Sequence, residues 1–267
     1  MRKRNLRMKQ LVAVMLMSGP AIAAHAEDEA LATDRPDFVE SSDVVGRGRV
    51  QIETSIAGER QRQAGLRARL TTTPTLLRIG LSDTLEMRVE TDGRMRLRIN
   101  DASSVYRESG WGDVALGVKW HQRDGDEEAM TPGIGWLLHV DADSGSGAFR
   151  GDGWRPSLRM AAEWEFAGGW SLGLMPGIYQ DRDASGRYVG GIFAAVVGKS
   201  FTPQLRGFVE VSGQQLTSRR HGGQLTTLDT GAAYLLTKDL QIDIAVSRGI
   251  TSAAPDFAWT LGLSARF

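Results

Sequence analysis

Ionisable residues recur at alternate positions within short segments of mixed polarity: Glu86, Arg88, Lys119, Arg159, Glu163, Glu165, Arg206, Glu210, Asp243 and Arg266. Charges of both signs, spaced by two beside apolar partners, suit the wall of a watery passage that sets an electrostatic barrier for small solutes. Eight of them, Glu86, Arg88, Lys119, Arg159, Glu163, Arg206, Glu210 and Asp243, are the candidate lining and solute-contacting residues. Catalytic chemistry is harder to assemble. A lipid hydrolase needs a serine and a histidine within reach and a third group to orient them. His121 and His139 fall on the polar parity, and His221 lies in a loop beside Arg219 and Arg220. None is on the face where a lipid substrate would arrive. His121, His139 and Asp141, on adjacent segments, could in principle hold a metal ion. With no cysteine and no denser cluster, a hydrogen-bonded pair is the stronger expectation. The Asp141 to Asp152 loop lacks the spacing of a calcium loop, and no phosphate- or dinucleotide-binding glycine motif occurs. No cofactor, no metal and no enzymatic activity are expected.

The N-terminus is read as an export signal. Arg2, Lys3, Arg4, Arg7 and Lys9 precede an apolar run, Leu11 to Met17, and the small residues Ala21 to Ala26. Ala24-His25-Ala26 fits a cleavage site, so residues 1–26 are the expected signal peptide and Glu27 the first mature residue. The absence of cysteine excludes disulfide staples and thiolate chemistry. With 32 basic and 32 acidic residues, no net field favours nucleic acid. Thirty-two glycines against 8 prolines suit many strands and turns.

The elements that carry the charges have period two. In Phe257 to Phe267, the residues Phe257, Trp259, Leu261, Leu263, Ala265 and Phe267 share one face. Its length, about ten residues, is what a tilted strand needs to cross a bilayer. Val114, Leu116, Val118 and Trp120 alternate in the same way, as do Leu240, Ile242, Ile244 and Val246. Leu85, Met87 and Val89 share a parity with Met95, Leu97 and Ile99, which favours one long strand through Asp92-Gly93. The segment Tyr188 to Ser200 is ambiguous in parity. Twelve strands are expected between Arg47 and Phe267, with tight turns on one side and longer loops on the other. The seven tryptophans sort to two levels: Trp120, Trp136, Trp164 and Trp170 near the tight turns, and Trp111, Trp154 and Trp259 near the loops. Such belts mark the two interfaces of a bilayer. The fold class is therefore all-β: a transmembrane up-and-down antiparallel barrel of about 12 strands over residues 47–267. Residues 27–46 precede it as a periplasmic segment. Its Asp34-Arg35-Pro36-Asp37 stretch either folds into the mouth and narrows it or serves as a solvated linker.

Three motifs carry a resemblance. Thr33-Asp34-Arg35-Pro36-Asp37 precedes the first strand; Pro74 to Arg88 forms a hairpin; and Gly112-Asp113-Val114 with Gly117-Val118-Lys119 forms a later strand. Together they resemble the outer-membrane transporter family named for the MetA pathway of phenol degradation. Ile79 stands where that family often has an aromatic residue. The resemblance implies an outer-membrane barrel that passes aromatic or other small hydrophobic compounds. The expected function is thus a channel or transporter of the bacterial outer membrane; the alternative is a non-conducting structural or adhesion barrel. The expected partners are outer-membrane lipids, a small-molecule solute, and the barrel-assembly machinery, which would engage the C-terminal strand ending at Phe267. No nucleic acid partner is expected.

Overall fold

The computed structural model describes residues 30–63 and 65–267. The signal-peptide reading lies outside the described residues. Fifteen strand segments follow one another: β1 (Val50–Gln63), β2 (Leu66–Thr72), β3 (Thr75–Gly80), β4 (Leu85–Thr91), β5 (Arg94–Asn100), β6 (Val105–Trp111), β7 (Val114–Arg123), β8 (Gly133–Asp141), β9 (Arg155–Phe166), β10 (Trp170–Asp183), β11 (Gly186–Ser200), β12 (Leu205–Leu216), β13 (Leu225–Thr237), β14 (Leu240–Gly249) and β15 (Phe257–Arg266). β2 with β3, β4 with β5, and β6 with β7 are three strands, each interrupted once. Twelve antiparallel strands result, and β15 pairs with β1 to close the barrel. Closure removes the sheet edges that a bilayer could not satisfy. The seam is continued by Phe267, whose N–H donates to the Val50 carbonyl at 2.8 Å and whose carbonyl accepts from the Val50 N–H at 3.0 Å.

Alternation orients the strands. On β7, Ala115, Gly117, Lys119 and His121 face in, while Leu116, Val118 and Trp120 are exposed on the outer face. On β14, Gln241, Asp243 and Ala245 face in and Ile242 and Ile244 face out. The outward residues form the apolar band that contacts lipid, which makes this an outer-membrane-type barrel. Trp120 and Trp136 are direct cross-strand neighbours near the connection 124–132, which is longer than the other turns at this end. On β11 both faces are apolar: Ile192, Ala194 and Val196 are buried inside, and Phe193 and Val197 are exposed outside. That is why its parity could not be read from sequence.

One expectation about faces is corrected. Three consecutive strands break at the same level, at Thr73-Pro74, Asp92-Gly93 and Gly112-Asp113. Gly93 takes φ 63°, and a Cβ there would lie 2.3 Å from the Thr73 carbonyl oxygen. Pairing runs through the break in one register, from Thr91 opposite Val114 to Arg94 opposite Trp111. The strand is continuous in that sense, but its faces exchange. Below the break Glu86 and Arg88 are buried, whereas above it Met95 is buried and Arg94, Arg96 and Arg98 are exposed. The unbroken apolar parity from Leu85 to Ile99 therefore does not stay on one face, because the break, with Gly93 in the left-handed region, turns the strand over without shifting its register.

Candidate functional site: an occupied lumen

The lumen is not lined by free charges. Residues 31–45 run inside the barrel, tied at the periplasmic end by the Leu31 N–H, which donates to the Lys238 carbonyl at 2.8 Å. The segment of residues 27–46, read from sequence as periplasmic, lies inside the barrel over residues 31–45. It does not alternate because it is not a strand: its backbone groups are satisfied by lumen side chains instead of a ladder. The Asp34 N–H donates to Glu53 at 3.1 Å, the Phe38 and Val39 N–H groups to the two oxygens of Glu210 at 2.8 Å each, and the Val45 N–H to Glu86 at 2.9 Å. Glu163 accepts the Ser42 N–H.

Charge joins the two surfaces at Asp34. Its carboxylate accepts Lys119 Nζ at 2.8 Å and Arg88 at 2.5 Å, and it lies 3.5 Å from Arg78. Arg78 also reaches Glu86 at 2.9 Å and Glu53 at 3.1 Å. Arg88 reaches Glu40 at 2.7 Å, and Arg159 holds the other Glu40 oxygen at 2.6 Å. Four cations, Arg78, Arg88, Lys119 and Arg159, therefore meet four carboxylates. The wall supplies Glu53 and Glu86; the segment supplies Asp34 and Glu40. Such a cluster withstands burial only while each member keeps its partners. Farther round, Arg206 holds Asp37 at 2.8 Å, and Asp243 accepts Arg35 at 3.0 Å.

The opposite wall is apolar. Val39 packs with Met175, Ala194, Val196, Phe208 and Ala245, and Phe38 lies against this cluster. Gly135 leaves room for the chain to pass: a Cβ there would come 2.6 Å from the Ser42 carbonyl oxygen.

All eight candidate lining residues point into the lumen, and each contacts the inserted segment. Glu86, Arg88, Lys119, Arg159, Glu163, Arg206, Glu210 and Asp243 hold its residues 34–45. Sequence reasoning missed Arg78 and Glu53, which share their alternation, and it missed the segment's role as their partner. A signal existed: Asp34, Asp37, Glu40 and Asp43 recur every third residue before the barrel begins. His121 and His139 take separate partners. His121 bonds the Ser42 carbonyl and Asp124, both at 3.0 Å, while His139 Nδ1 is 3.8 Å from Glu90. Among the described residues, no three histidine, aspartate or glutamate side chains gather as metal ligands.

Above the segment, toward the outer loops, lies a cavity of about 180 Å³. It is lined by Asp141, Arg155, Ser157, Arg159, Tyr179 and Asp181, among others. Arg155 is held by Asp113 at 2.6 Å. The Tyr179 hydroxyl and Arg159 Nε are buried without a protein partner. Arg159 thus contacts both the cavity and, through Glu40, the segment below it.

A closed twelve-stranded barrel with a lipid-facing apolar band and a polar lumen filled by its own N-terminal segment is the architecture of an outer-membrane barrel protein. The chain belongs to the family described as "Putative MetA-pathway of phenol degradation", which matches residues 33–267. Its structure is similar to that of an outer-membrane channel from Pseudomonas putida F1, at 16% identity and a TM-score of 0.63, over 87% of this chain and 99% of that one. It is similar also to the KdgM porin, at 12% identity and a TM-score of 0.53, over 81% and 99% of the respective chains. The NanC porin follows at 12% identity and a TM-score of 0.50, over 81% and 98%. At such identities these likenesses concern the fold. No curated protein sequence matches the chain.

Proposed function

We propose that the barrel is a channel for small ring compounds, closed by residues 31–45 and loaded through the outer cavity. The observation that carries this reading is the join at Arg159, one side chain shared between an open cavity and the docked segment. The cavity, about 180 Å³, is close in size to the ~150 Å³ apolar cavity that holds one benzene. Its lining is polar, so a ring bearing a hydroxyl or carboxylate would fit better than a bare hydrocarbon. Such a solute would offer Arg159 an alternative to Glu40 and weaken the segment's hold. The family's description, which concerns phenol degradation, and the porin-like fold support the reading. The wall cations that hold the segment would then form the path for the solute once it withdraws.

The test is conductance in a planar bilayer, before and after addition of benzoate or phenol on the outer side. A low resting conductance that changes on addition of the ring compound, with a weaker response in Arg159→Gln, is expected. A barrel that neither conducts nor takes up either solute is a structural barrel, and the proposal fails.

A further inference from the structure

The strand extension above the breaks at Thr73-Pro74, Asp92-Gly93 and Gly112-Asp113 has no place in the channel reading, yet its outer face carries a row of exposed arginines. Cross-strand partners share a face. Outward on the β15–β1 seam, Leu261 faces Ile56, Trp259 faces Gly58, and Phe257 faces Arg60. The row then continues across β2, β5 and β6: Arg60 faces Arg69, Arg69 faces Arg98, and Arg98 faces Arg107. Four guanidinium groups stand in one ladder across three strand spacings, about 15 Å at ~4.8 Å each. Arg62, Arg67, Arg94 and Arg96 flank it on the same face, and all eight are exposed. Among the described residues none of the eight side chains is ion-paired: Arg94 donates to the Ser109 hydroxyl at 3.4 Å, Arg98 to the Asn100 amide oxygen at 3.1 Å, and Arg62 donates its backbone N–H to Asp256.

Like charges directly opposite one another destabilise a sheet unless something neutralises them. The local acids do not. Asp101, in the turn joining β5 to β6, has its carboxylate oxygens taken up by the backbone N–H groups of Ser103 and Ser104 and by their hydroxyls. Glu108 is opposite Leu97, on the other face of the extension, and accepts the Tyr106 hydroxyl. Asp256 accepts the Arg62 backbone N–H at the end of the row, which leaves one nearby carboxylate against eight guanidinium groups and a large excess of positive charge for an external anion to neutralise.

Position decides which anion. Along β1 and β15 the outer face reads apolar, then aromatic, then cationic, in the order of a bilayer core, its interface and its headgroups. Arg60 lies one outward position beyond Gly58 and 5.9 Å over the Phe257 ring; Arg94 lies 5.8 Å over the Trp111 ring. Guanidinium forks match phosphate oxygens two at a time, which ammonium groups do not. We infer that this ladder is a docking platform for the phosphorylated headgroup of an outer-leaflet glycolipid.

The test uses the whole folded barrel in detergent, titrated with diphosphorylated lipid A and with its fully dephosphorylated form. Folding of each variant is checked by heat-modifiable gel mobility. The variant carrying Arg60→Gln, Arg69→Gln, Arg98→Gln and Arg107→Gln should bind lipid A at least about tenfold more weakly, given the contribution of each cation at an anionic surface. A matched variant carrying Arg182→Gln, Arg187→Gln, Arg219→Gln and Arg220→Gln should bind within about twofold of the parent. Equal affinity of the ladder variant, equal affinity for the dephosphorylated lipid, or an equal loss in the matched variant overturns the inference. So does complete displacement by millimolar inorganic phosphate, which would make the site one for the free anion. Binding of polyglutamate without lipid A would point to an acidic protein and overturn it as well.

Discussion

Lys119 Nζ lies 2.8 Å from Asp34 Oδ1, although 85 positions separate them in the chain. Both groups are buried in the middle of the barrel, and the same lysine also donates to the Ser41 carbonyl at 2.8 Å. The contact fixes the N-terminal segment inside the lumen and makes Asp34 the point where β3, β4 and β7 are joined to it.

Asp34→Ala removes the carboxylate shared by Arg78, Arg88 and Lys119. Breaking a buried pair by deleting one partner costs ~3–5 kcal/mol. The barrel wall keeps its hydrogen-bond ladder, so the loss should fall on docking of the segment. The expected outcome is a higher open probability in single-channel records and faster cleavage near residue 40 by an added protease, with unchanged heat-modifiable mobility.

Gly135→Val tests the same docking from the wall. The new side chain would occupy the space through which the Ser42 backbone passes, where even a Cβ would sit 2.6 Å from the carbonyl oxygen. Overpacking of this kind costs ~1–3 kcal/mol. Conductance should rise as in Asp34→Ala, though no charge has changed. A closed channel in this variant would mean that the segment accommodates the side chain and that the fit at Gly135 is loose.

Leu116→Arg and Ile244→Arg test the lipid face. Each should lower folding stability in a bilayer by ~2–4 kcal/mol near the midplane. Ala115→Arg, one residue away on the lumen side and beside Glu90 and Asp141, should cost much less. Denaturant titration of refolding into vesicles reads the difference, and equal costs would reverse the assignment of faces.

Those faces are where the sequence was most legible. Leu116 and Ile244 sit in strict alternations, and alternation in a barrel reports side-chain direction whatever fills the lumen. Legibility ends where a second apolar surface appears, as on β11, where Ala194 and Val196 pack against the segment through Val39. It ends also at Asp92-Gly93, where the change of face leaves no mark in the apolar period. The inserted segment is least visible of all, because its order comes from partners distant in sequence. Thr33 to Val45 repeats its acids every third residue but has no apolar period that implies burial; only Arg78, Glu53 and the other wall charges give it a place.

Phe267 closes the seam through its backbone while its side chain is 75% exposed on the outer surface. Its deletion should lower insertion in cells more than it lowers the stability of barrel refolded from denaturant. Comparing outer-membrane yield with refolding midpoints separates the two. Normal insertion in cells would remove any role of this residue in recognition by the assembly machinery.

Residues 31–45 close the lumen. Between positions 30 and 46 the segment carries Asp34, Asp37, Glu40 and Asp43 against Arg35, four acids less one base, for a net charge of −3. Its removal should both widen the pore and leave the wall more positive. Conductance and reversal potential across a potassium chloride gradient, for the full barrel and for a form lacking residues 30–46, measure both at once. A several-fold rise in conductance and a shift toward anion selectivity are expected. Identical conductance and an unmoved reversal potential would contradict closure by residues 31–45.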